Sequence, residues 1–177
     1  TTSTPIMTPP TGWSIMSEVR LSGGCQCGAV RFRVDQQPEN VHVCHCRMCQ
    51  KAVGGPFAVI CPVDKVNFHV TRGTISWFKS SELANRGFCR DCGTPLIFDY
   101  PWAPDIGVLS GAFDQPDRVP PVIQYGNESR VGWYAHIGEL PGNTPTYSVD
   151  PEGRLARISA SNHQHPDHDT AEWPPRN

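Results

Sequence analysis

The positions of the eight cysteines constrain this chain more than any other feature of its sequence. They form a C-x-C pair, a C-x-C-x-x-C triplet, a single cysteine and a C-x-x-C pair, at Cys25 and Cys27, at Cys44, Cys46 and Cys49, at Cys61, and at Cys89 and Cys92. A C-x-C pair would close a strained ring as a disulfide, whereas its two thiols can converge on one metal ion. The spacing therefore predicts zinc sites rather than structural disulfides.

A high content of glycine and proline predicts a mainly β fold. The 177 residues include 16 glycines and 18 prolines, which interrupt long helices and favour short strands joined by turns. Residues 19–34 are predicted to form a strand, a tight turn and a second strand, in which apolar residues alternate with Arg31 and Arg33. Residues 66–73 and 75–80 are predicted to form a hairpin that turns at Arg72 and Gly73.

The length of the chain is typical of one domain with a modest core. The Thr- and Pro-rich residues 1–17 are predicted to be a flexible extension, followed by a zinc-binding domain over residues 18–145. Residues 146–177 are predicted to be a partly disordered C-terminal extension. Its histidines, His163, His165 and His168, are interpreted as part of a mobile tail, with adventitious metal binding as the alternative.

Two cysteine pairs that are far apart in the sequence predict a structural metal site. Cys25 and Cys27 lie on a glycine-flanked turn, and Cys89 and Cys92 form a second turn that is followed by Gly93. Four thiolates are a common ligand set for tetrahedral structural zinc. We expect this site to connect the first strands to the middle of the chain.

The cysteine triplet predicts a different kind of site. Cys44, Cys46 and Cys49 supply three thiols, and three protein ligands with an exchangeable fourth position are typical of catalytic zinc. Cys61 and His45 are alternative fourth ligands, although Cys61 is also interpreted as a buried free thiol and His45 is expected to point away from its cysteine neighbours. A redox-sensitive cluster without metal is a further alternative. The three cysteines are the candidate catalytic residues.

Charge and hydropathy argue against two classes of partner. The formal net charge is −2 and no basic stripe is present, which argues against nucleic-acid binding. No apolar segment is long enough to span a membrane and no signal peptide is evident, so a cytoplasmic location is predicted. The predicted partners are small molecules, and a homodimer is left open.

Three motifs, in this order and spacing, resemble those of one known family. "GGCQCGAVRF", "CHCRMCQKAVGG" and "GFCRDCGTPL" resemble the glutathione-dependent formaldehyde-activating enzyme family, which also contains centromere protein V. The later segment "ESRVGWYAHIGELP" is similar to the C-terminal pattern of that family. The resemblance covers about Val19 to Pro141.

The resemblance implies a β-tent fold of small coiled antiparallel sheets, with a structural zinc on Cys25, Cys27, Cys89 and Cys92 and a labile zinc on the triplet. It also implies a carbon–sulfur lyase or synthase that adds glutathione, as co-substrate, to formaldehyde and gives S-(hydroxymethyl)glutathione. His45, Arg47 and Lys51 are candidate contacts for glutathione, with solvated surface side chains as the alternative. Arg130 and Trp133 match the family pattern, and packing or a surface ion pair would equally explain them.

A zinc-stapled binding module without catalysis is the alternative function. It predicts an exposed apolar surface, for which Tyr100 to Gly107, "YPWAPDIG", is the candidate.

Overall fold

Ten short β-strands and two α-helices are found in the part of the chain that this computed structural model describes, residues 19–142, 150 and 152–172. The strands are β1 (Leu21–Gly24), β2 (Arg31–Val34), β3 (His42–Cys44), β4 (Ala58–Asp64), β5 (Phe68–Arg72), β6 (Ser76–Lys79), β7 (Asn85–Phe88), β8 (Pro95–Asp99), β9 (Asp105–Leu109) and β10 (Ile123–Tyr125). The α-helices are α1 (Arg47–Val53) and α2 (Arg154–Ala160). Short 3-10 helices cover Lys65–Asn67, Ser110–Ala112, Pro116–Arg118, Asn127–Ser129 and Gly132–Glu139. The prediction of a mainly β fold is confirmed, and the β-tent name stays a prediction.

The strands form two sheets. The small sheet has the order β1-β2-β5 and is antiparallel throughout. The large sheet has the order β10-β3-β4-β9-β8-β7-β6. Its strands pair antiparallel except for β10, which lies parallel to β3 at one edge. The cysteine triplet lies on β3 and α1. Because β3 is a strand of the large sheet, the triplet adjoins the same sheet as β7 and β8, whose connecting turn carries the C-x-x-C pair.

The main hydrophobic core contains side chains from both sheets. Phe32 of the small sheet is fully buried, and its ring contacts the rings of Phe68 and Phe113 at centroid distances of 5.4 Å. Leu96 and Val108 of the large sheet are also fully buried and belong to the same core. The core therefore holds the two sheets together through apolar burial.

The predicted hairpin over residues 66–80 is wrong. β5 pairs with β2 in the small sheet, whereas β6 pairs with β7 in the large sheet. The segment between them passes from one sheet to the other at Gly73, which has φ 68° and lies so close to the carbonyl oxygen of Ala29 that an added Cβ would be 2.0 Å from it. Gly73 was predicted to be part of a hairpin turn. In the structure, its lack of a side chain lets the backbone pass close to the carbonyl oxygen of Ala29.

Residues 165–170 of the C-terminal extension pack onto the small sheet and the turn between its first two strands. The backbone N–H of His165 donates to the carbonyl oxygen of Gln26 at 2.7 Å, and His165 is 3% exposed. Asp169 accepts from the Arg31 guanidinium at 2.8 Å, and Arg72 donates to the Thr170 carbonyl oxygen. His165 is thus part of the packed structure, in contrast to the mobile tail that the sequence predicts.

The domain boundaries stay a prediction. Residues 1–18, 143–149, 151 and 173–177 lie outside the described residues, so the predicted N-terminal extension is among them. Among the described residues, none of the helices has both the length and the apolar character needed to cross a membrane.

A Gly28→Ala substitution is expected to displace the docked C-terminal segment. Gly28 has φ 74°, and an added Cβ would lie 2.2 Å from Cδ2 of the buried His165 ring. We expect a loss of about 1–3 kcal/mol in unfolding free energy from the clash, in addition to the cost of the left-handed backbone. Urea denaturation and amide hydrogen exchange at residues 162–172 would measure both effects.

Gly54→Ala is the matched control for this substitution. Gly54 ends α1 with φ 64°, and nothing lies within 4 Å of an added Cβ. It therefore reports the cost of the backbone conformation alone. Equal losses in the two variants, with unchanged exchange at residues 162–172, would contradict the proposed contact between Gly28 and His165.

Candidate metal centres and the adjoining cavity

The first cluster consists of the Sγ atoms of Cys25, Cys27, Cys89 and Cys92, which all lie within 4.8 Å of one another. The Sγ atoms of Cys25 and Cys27 are 3.6 Å apart, and those of Cys27 and Cys89 are 3.8 Å apart. Four sulfurs around a tetrahedral zinc with bonds of about 2.3 Å would be separated by about 3.8 Å. The four side chains therefore fit a zinc ion, both in the chemistry of the donors and in their separations.

The first cluster joins the two sheets. Cys25 and Cys27 lie in the turn between β1 and β2, and Cys89 and Cys92 lie in the turn between β7 and β8. A metal ion held by all four would cross-link residues 62 positions apart in the chain.

Hydrogen bonds near the first cluster favour thiolates. The backbone N–H of Val30 donates to Cys25 Sγ at 3.2 Å, and Cys92 Sγ lies 3.1 Å from Thr94 Oγ1. Burial acts to raise the pKa of Cys92, but hydrogen bonds from the side chain and backbone of Thr94 and from Cys27 outweigh it and lower this pKa to about 6. Burial raises the pKa of Cys25 in the metal-free protein. The cluster therefore supplies one ready thiolate and would release protons from others on binding metal.

The second cluster consists of Cys44, Cys46 and Cys49, whose Sγ atoms also lie within 4.8 Å of one another. Cys44 ends β3, Cys46 is the N-cap of α1, and Cys49 lies in the first turn of that helix. The backbone N–H of Cys49 donates to Cys46 Sγ at 3.4 Å, so the Cys46 side chain caps the helix. Among the described residues, no other Cys, His, Asp or Glu joins this group.

Cys61 belongs to neither cluster. It is fully buried in the main core, and burial raises the pKa of its thiol to about 12. This position agrees with a buried free thiol and disagrees with the alternative in which Cys61 is the fourth ligand of the triplet.

Arg86 is a charged neighbour of the second cluster that sequence reasoning missed. Its Nη2 lies 3.6 Å from Cys49 Sγ, and its guanidinium carbon lies 5.0 Å above the centre of the Phe98 ring. Burial acts to raise the pKa of Cys49 and Arg86 acts to lower it, with a net rise. Arg86 is in β7, three residues before Cys89, and only the pairing order of the sheet brings it to the triplet.

A cavity of about 530 Å³ lies beside α1 and is also lined by residues of β6, β7, β8 and β9. Its charged lining residues are Arg47, Lys51 and Arg86, and no acidic residue is among those that line it. The ion pairs found in the described residues involve none of these three side chains. The cavity therefore presents positive charge that no carboxylate of the described residues neutralises, which favours anionic ligands.

His45 lies away from this cavity. It is fully buried, its Nε2 is 2.9 Å from Gln124 Oε1, and its ring packs edge-on against Tyr134 and Phe57. The structure thus places Arg47 and Lys51 on the cavity and His45 outside it. As expected from the alternation of side chains, His45 points away from its cysteine neighbours, but it is neither solvated nor in either cluster.

The segment after β10 packs beside the triplet. Gln50, 4% exposed, donates from Nε2 to the carbonyl oxygens of His45 at 2.6 Å and Ser129 at 3.0 Å. The Arg130 guanidinium lies 5.7 Å from the centre of the Tyr134 ring, whereas Trp133 is 56% exposed. Arg130 is therefore involved in packing, and sequence reasoning missed Gln50.

Comparison with known proteins shows that a family model matches the region that contains this candidate site. A family model described as glutathione-dependent formaldehyde-activating enzyme, abbreviated GFA, matches residues 20–128, which contain both cysteine clusters and the cavity. The chain belongs to this family. The resemblance predicted from the cysteine motifs is thus confirmed.

Two curated proteins and one solved structure are similar to this GFA family member. A Halomonas elongata protein named "Putative glutathione-dependent formaldehyde-activating enzyme" is 28% identical over 151 residues, covering 67% of this chain and 96% of that protein. A Schizosaccharomyces pombe protein described as an uncharacterized lyase is 30% identical over 78 residues, covering 44% of this chain and 56% of that protein. A crystal structure of a Rhodobacter sphaeroides protein has a TM-score of 0.49 at 23% identity, covering 58% of this chain and 98% of that one.

Proposed function

We propose that this chain is a carbon–sulfur lyase or synthase that adds the thiol of glutathione to an aldehyde, formaldehyde being the substrate in the family's name. One observation carries the proposal: three converging thiols, which no fourth candidate ligand joins in the described part of the chain, lie next to a cavity lined by three basic side chains. Membership of the GFA family supports the reaction class. The lyase description of one relative agrees with it.

The basic side chains provide the binding part of the proposal. Glutathione carries two carboxylates, and Arg47 and Lys51, one helical turn apart on α1, are exposed at the cavity where they would bind them. Arg86, next to Cys49, would stabilise negative charge that develops near the sulfurs. We propose these three residues as glutathione contacts.

Zinc fits the triplet because three thiolates are soft ligands for it. When bound there, zinc would lower the pKa of a thiol that takes the remaining position and so supply thiolate near neutral pH. A cytoplasmic location is part of the proposal, since all eight cysteines are free thiols and such thiols persist in reducing compartments.

A Cys46→Ser substitution is expected to remove one metal ion and leave the fold intact. The protein should hold two zinc ions per chain, and the variant one, because the substitution removes a ligand of the triplet and leaves the first cluster complete. Mass spectrometry of the metal, before and after dialysis against glutathione, would measure this content. Wild-type content should fall from two to one on dialysis, whereas an unchanged pair of zinc ions in the variant would contradict the assignment.

The reaction itself is tested by the exchange between formaldehyde, glutathione and S-(hydroxymethyl)glutathione, followed by NMR. The two-zinc protein is expected to accelerate it over the spontaneous rate, and Cys46→Ser is expected to lose that acceleration. If protein that holds both zinc ions does not accelerate this exchange, the proposed reaction is wrong.

A binding module without catalysis remains a second candidate because of one surface. Trp102 is 71% exposed and its ring stacks on that of Tyr100 at a centroid distance of 5.4 Å. Lys65 stiffens this loop by donating to the carbonyl oxygens of Tyr100 at 2.9 Å and Ala103 at 2.8 Å. A protein with one zinc ion and no acceleration of the exchange would favour this second function.

A further inference from the structure

The cavity beside the triplet has an apolar wall that neither substrate of the proposed reaction explains. Apart from its basic residues, it is lined mainly by large apolar side chains: Met48, Phe78, Phe88, Ile97 and Leu109. The two carboxylates of glutathione match the basic side chains. Formaldehyde has only two non-hydrogen atoms, so it would leave most of this apolar wall uncovered.

The apolar wall extends from a residue that packs against the cysteine triplet to the protein surface. Leu109, 7% exposed, packs in one small core with Cys49 and also lines the cavity. Phe78 and Met48 lie at the mouth, with exposed fractions of 60% and 59%. A group attached to a carbon that reacts near the sulfurs would therefore extend along this wall, and would cover side chains that are exposed to water without it.

We infer that the aldehyde used by this site carries an apolar chain or ring, and that Phe78 is a specificity-determining residue. This inference rests on the proposed function. In the reaction, the thiolate sulfur of glutathione forms a bond to the carbonyl carbon, and the π electrons of the carbonyl move to its oxygen. That oxygen takes up the proton that the thiol gave, so the product is a hemithioacetal and no oxidant or reductant is needed.

Stable S-alkyl glutathiones test the binding part of this inference without any chemistry. By calorimetry, S-hexylglutathione is expected to bind at least about 10-fold more tightly than S-methylglutathione, because each buried methylene favours binding. Phe78→Ala should abolish most of this difference. Trp77→Ala is the matched control, since Trp77 is 49% exposed on the same edge strand and does not line the cavity.

Aldehydes test the reaction part. Hexanal and formaldehyde are compared by the acceleration of hemithioacetal exchange over the spontaneous rate, in the wild type and both variants. Hexanal should show the larger acceleration, and Phe78→Ala should lower it about 10-fold while changing that of formaldehyde less than about twofold. The zinc content of each variant is measured to show that it is folded.

The outcomes separate this inference from the proposed function. Equal affinity for the two S-alkyl glutathiones, or an effect of Phe78→Ala that is the same for both aldehydes, would overturn the inference and leave the proposed function standing. If neither aldehyde reacts faster than spontaneously with protein that holds both zinc ions, the proposed function fails, and the reaction part of the inference fails with it.

Discussion

Cys89→Ser is expected to release the metal ion of the first cluster and to leave the protein largely unfolded at room temperature. The four sulfurs of that cluster connect the turns of two different sheets, so a metal ion held by them would contribute directly to folding. Structural zinc sites contribute roughly 10–16 kcal/mol in small zinc-binding peptides, and whole domains are stable by only about 5–15 kcal/mol. Zinc content and far-UV circular dichroism in increasing urea would measure both losses.

Cys61→Ser is the matched control, because it makes the same chemical change at a buried thiol outside both clusters. Placing an unsatisfied hydroxyl in the core is expected to cost about 1–3 kcal/mol and to leave the zinc content unchanged. If Cys89→Ser kept its full zinc content and lost no more stability than Cys61→Ser, the first cluster would not be a structural metal site.

Arg31→Met is expected to have the second largest effect, a loss of about 3–5 kcal/mol in unfolding free energy. The Arg31 side chain is 3% exposed and donates to both carboxylate oxygens of Asp114, at 2.8 and 2.6 Å. Asp114 is itself 7% exposed, so the substitution would leave a buried carboxylate that keeps the hydrogen bond from the Ser22 hydroxyl but loses both from Arg31. Urea denaturation at neutral pH is the measurement.

Arg33→Met provides the control for this ion pair. Arg33 lies on the same strand and pairs with Asp35, but the two side chains are 29% and 36% exposed. A solvated pair of this kind contributes little to stability, so we expect almost no change. Similar losses in the two arginine variants would show that burial of the Arg31 pair has no special role.

The Arg31 ion pair also predicts a dependence of stability on pH. Burial acts to raise the pKa of Asp114, but hydrogen bonds from Arg31 and Ser22 outweigh it and hold this pKa below its usual value. An unfolded aspartate, with a pKa of about 3.9, then binds more protons than the folded one as the pH falls. The contribution of Asp114 is therefore present above about pH 4 and is lost as the pH falls through the folded pKa. In Arg31→Met this acid-side loss should largely disappear from a series of urea denaturations at different pH values.

The sequence predicted features that depend on the spacing of nearby residues. It missed contacts between residues that are far apart in the chain. The spacing of the cysteines predicted which sulfurs converge. The burial of Arg31 was missed, because Asp114 and Asp169 are far from it in the chain and reach it only in the folded protein.

Long-range strand pairing also explains the errors at the candidate site. Arg86 reaches Cys49 only because β7 lies beside β8 and β9 in the large sheet, and no local pattern around Arg86 indicates that order. His45 was a candidate contact for glutathione, but its ring packs against Tyr134 and Phe57, away from the cavity.

A metal ion held by the first cluster would make the amount of this protein in a cell depend on metal supply. Because its ligands come from the β1–β2 turn and the β7–β8 turn, the two sheets can be joined only after more than half of the chain has been synthesised. Until metal arrives, the apolar surface between the sheets, which includes Phe32 and Leu96, would stay open to proteases and to aggregation. We therefore expect zinc starvation to lower the abundance of this protein through degradation. Folded protein that has lost only the labile metal of the triplet is not expected to accumulate.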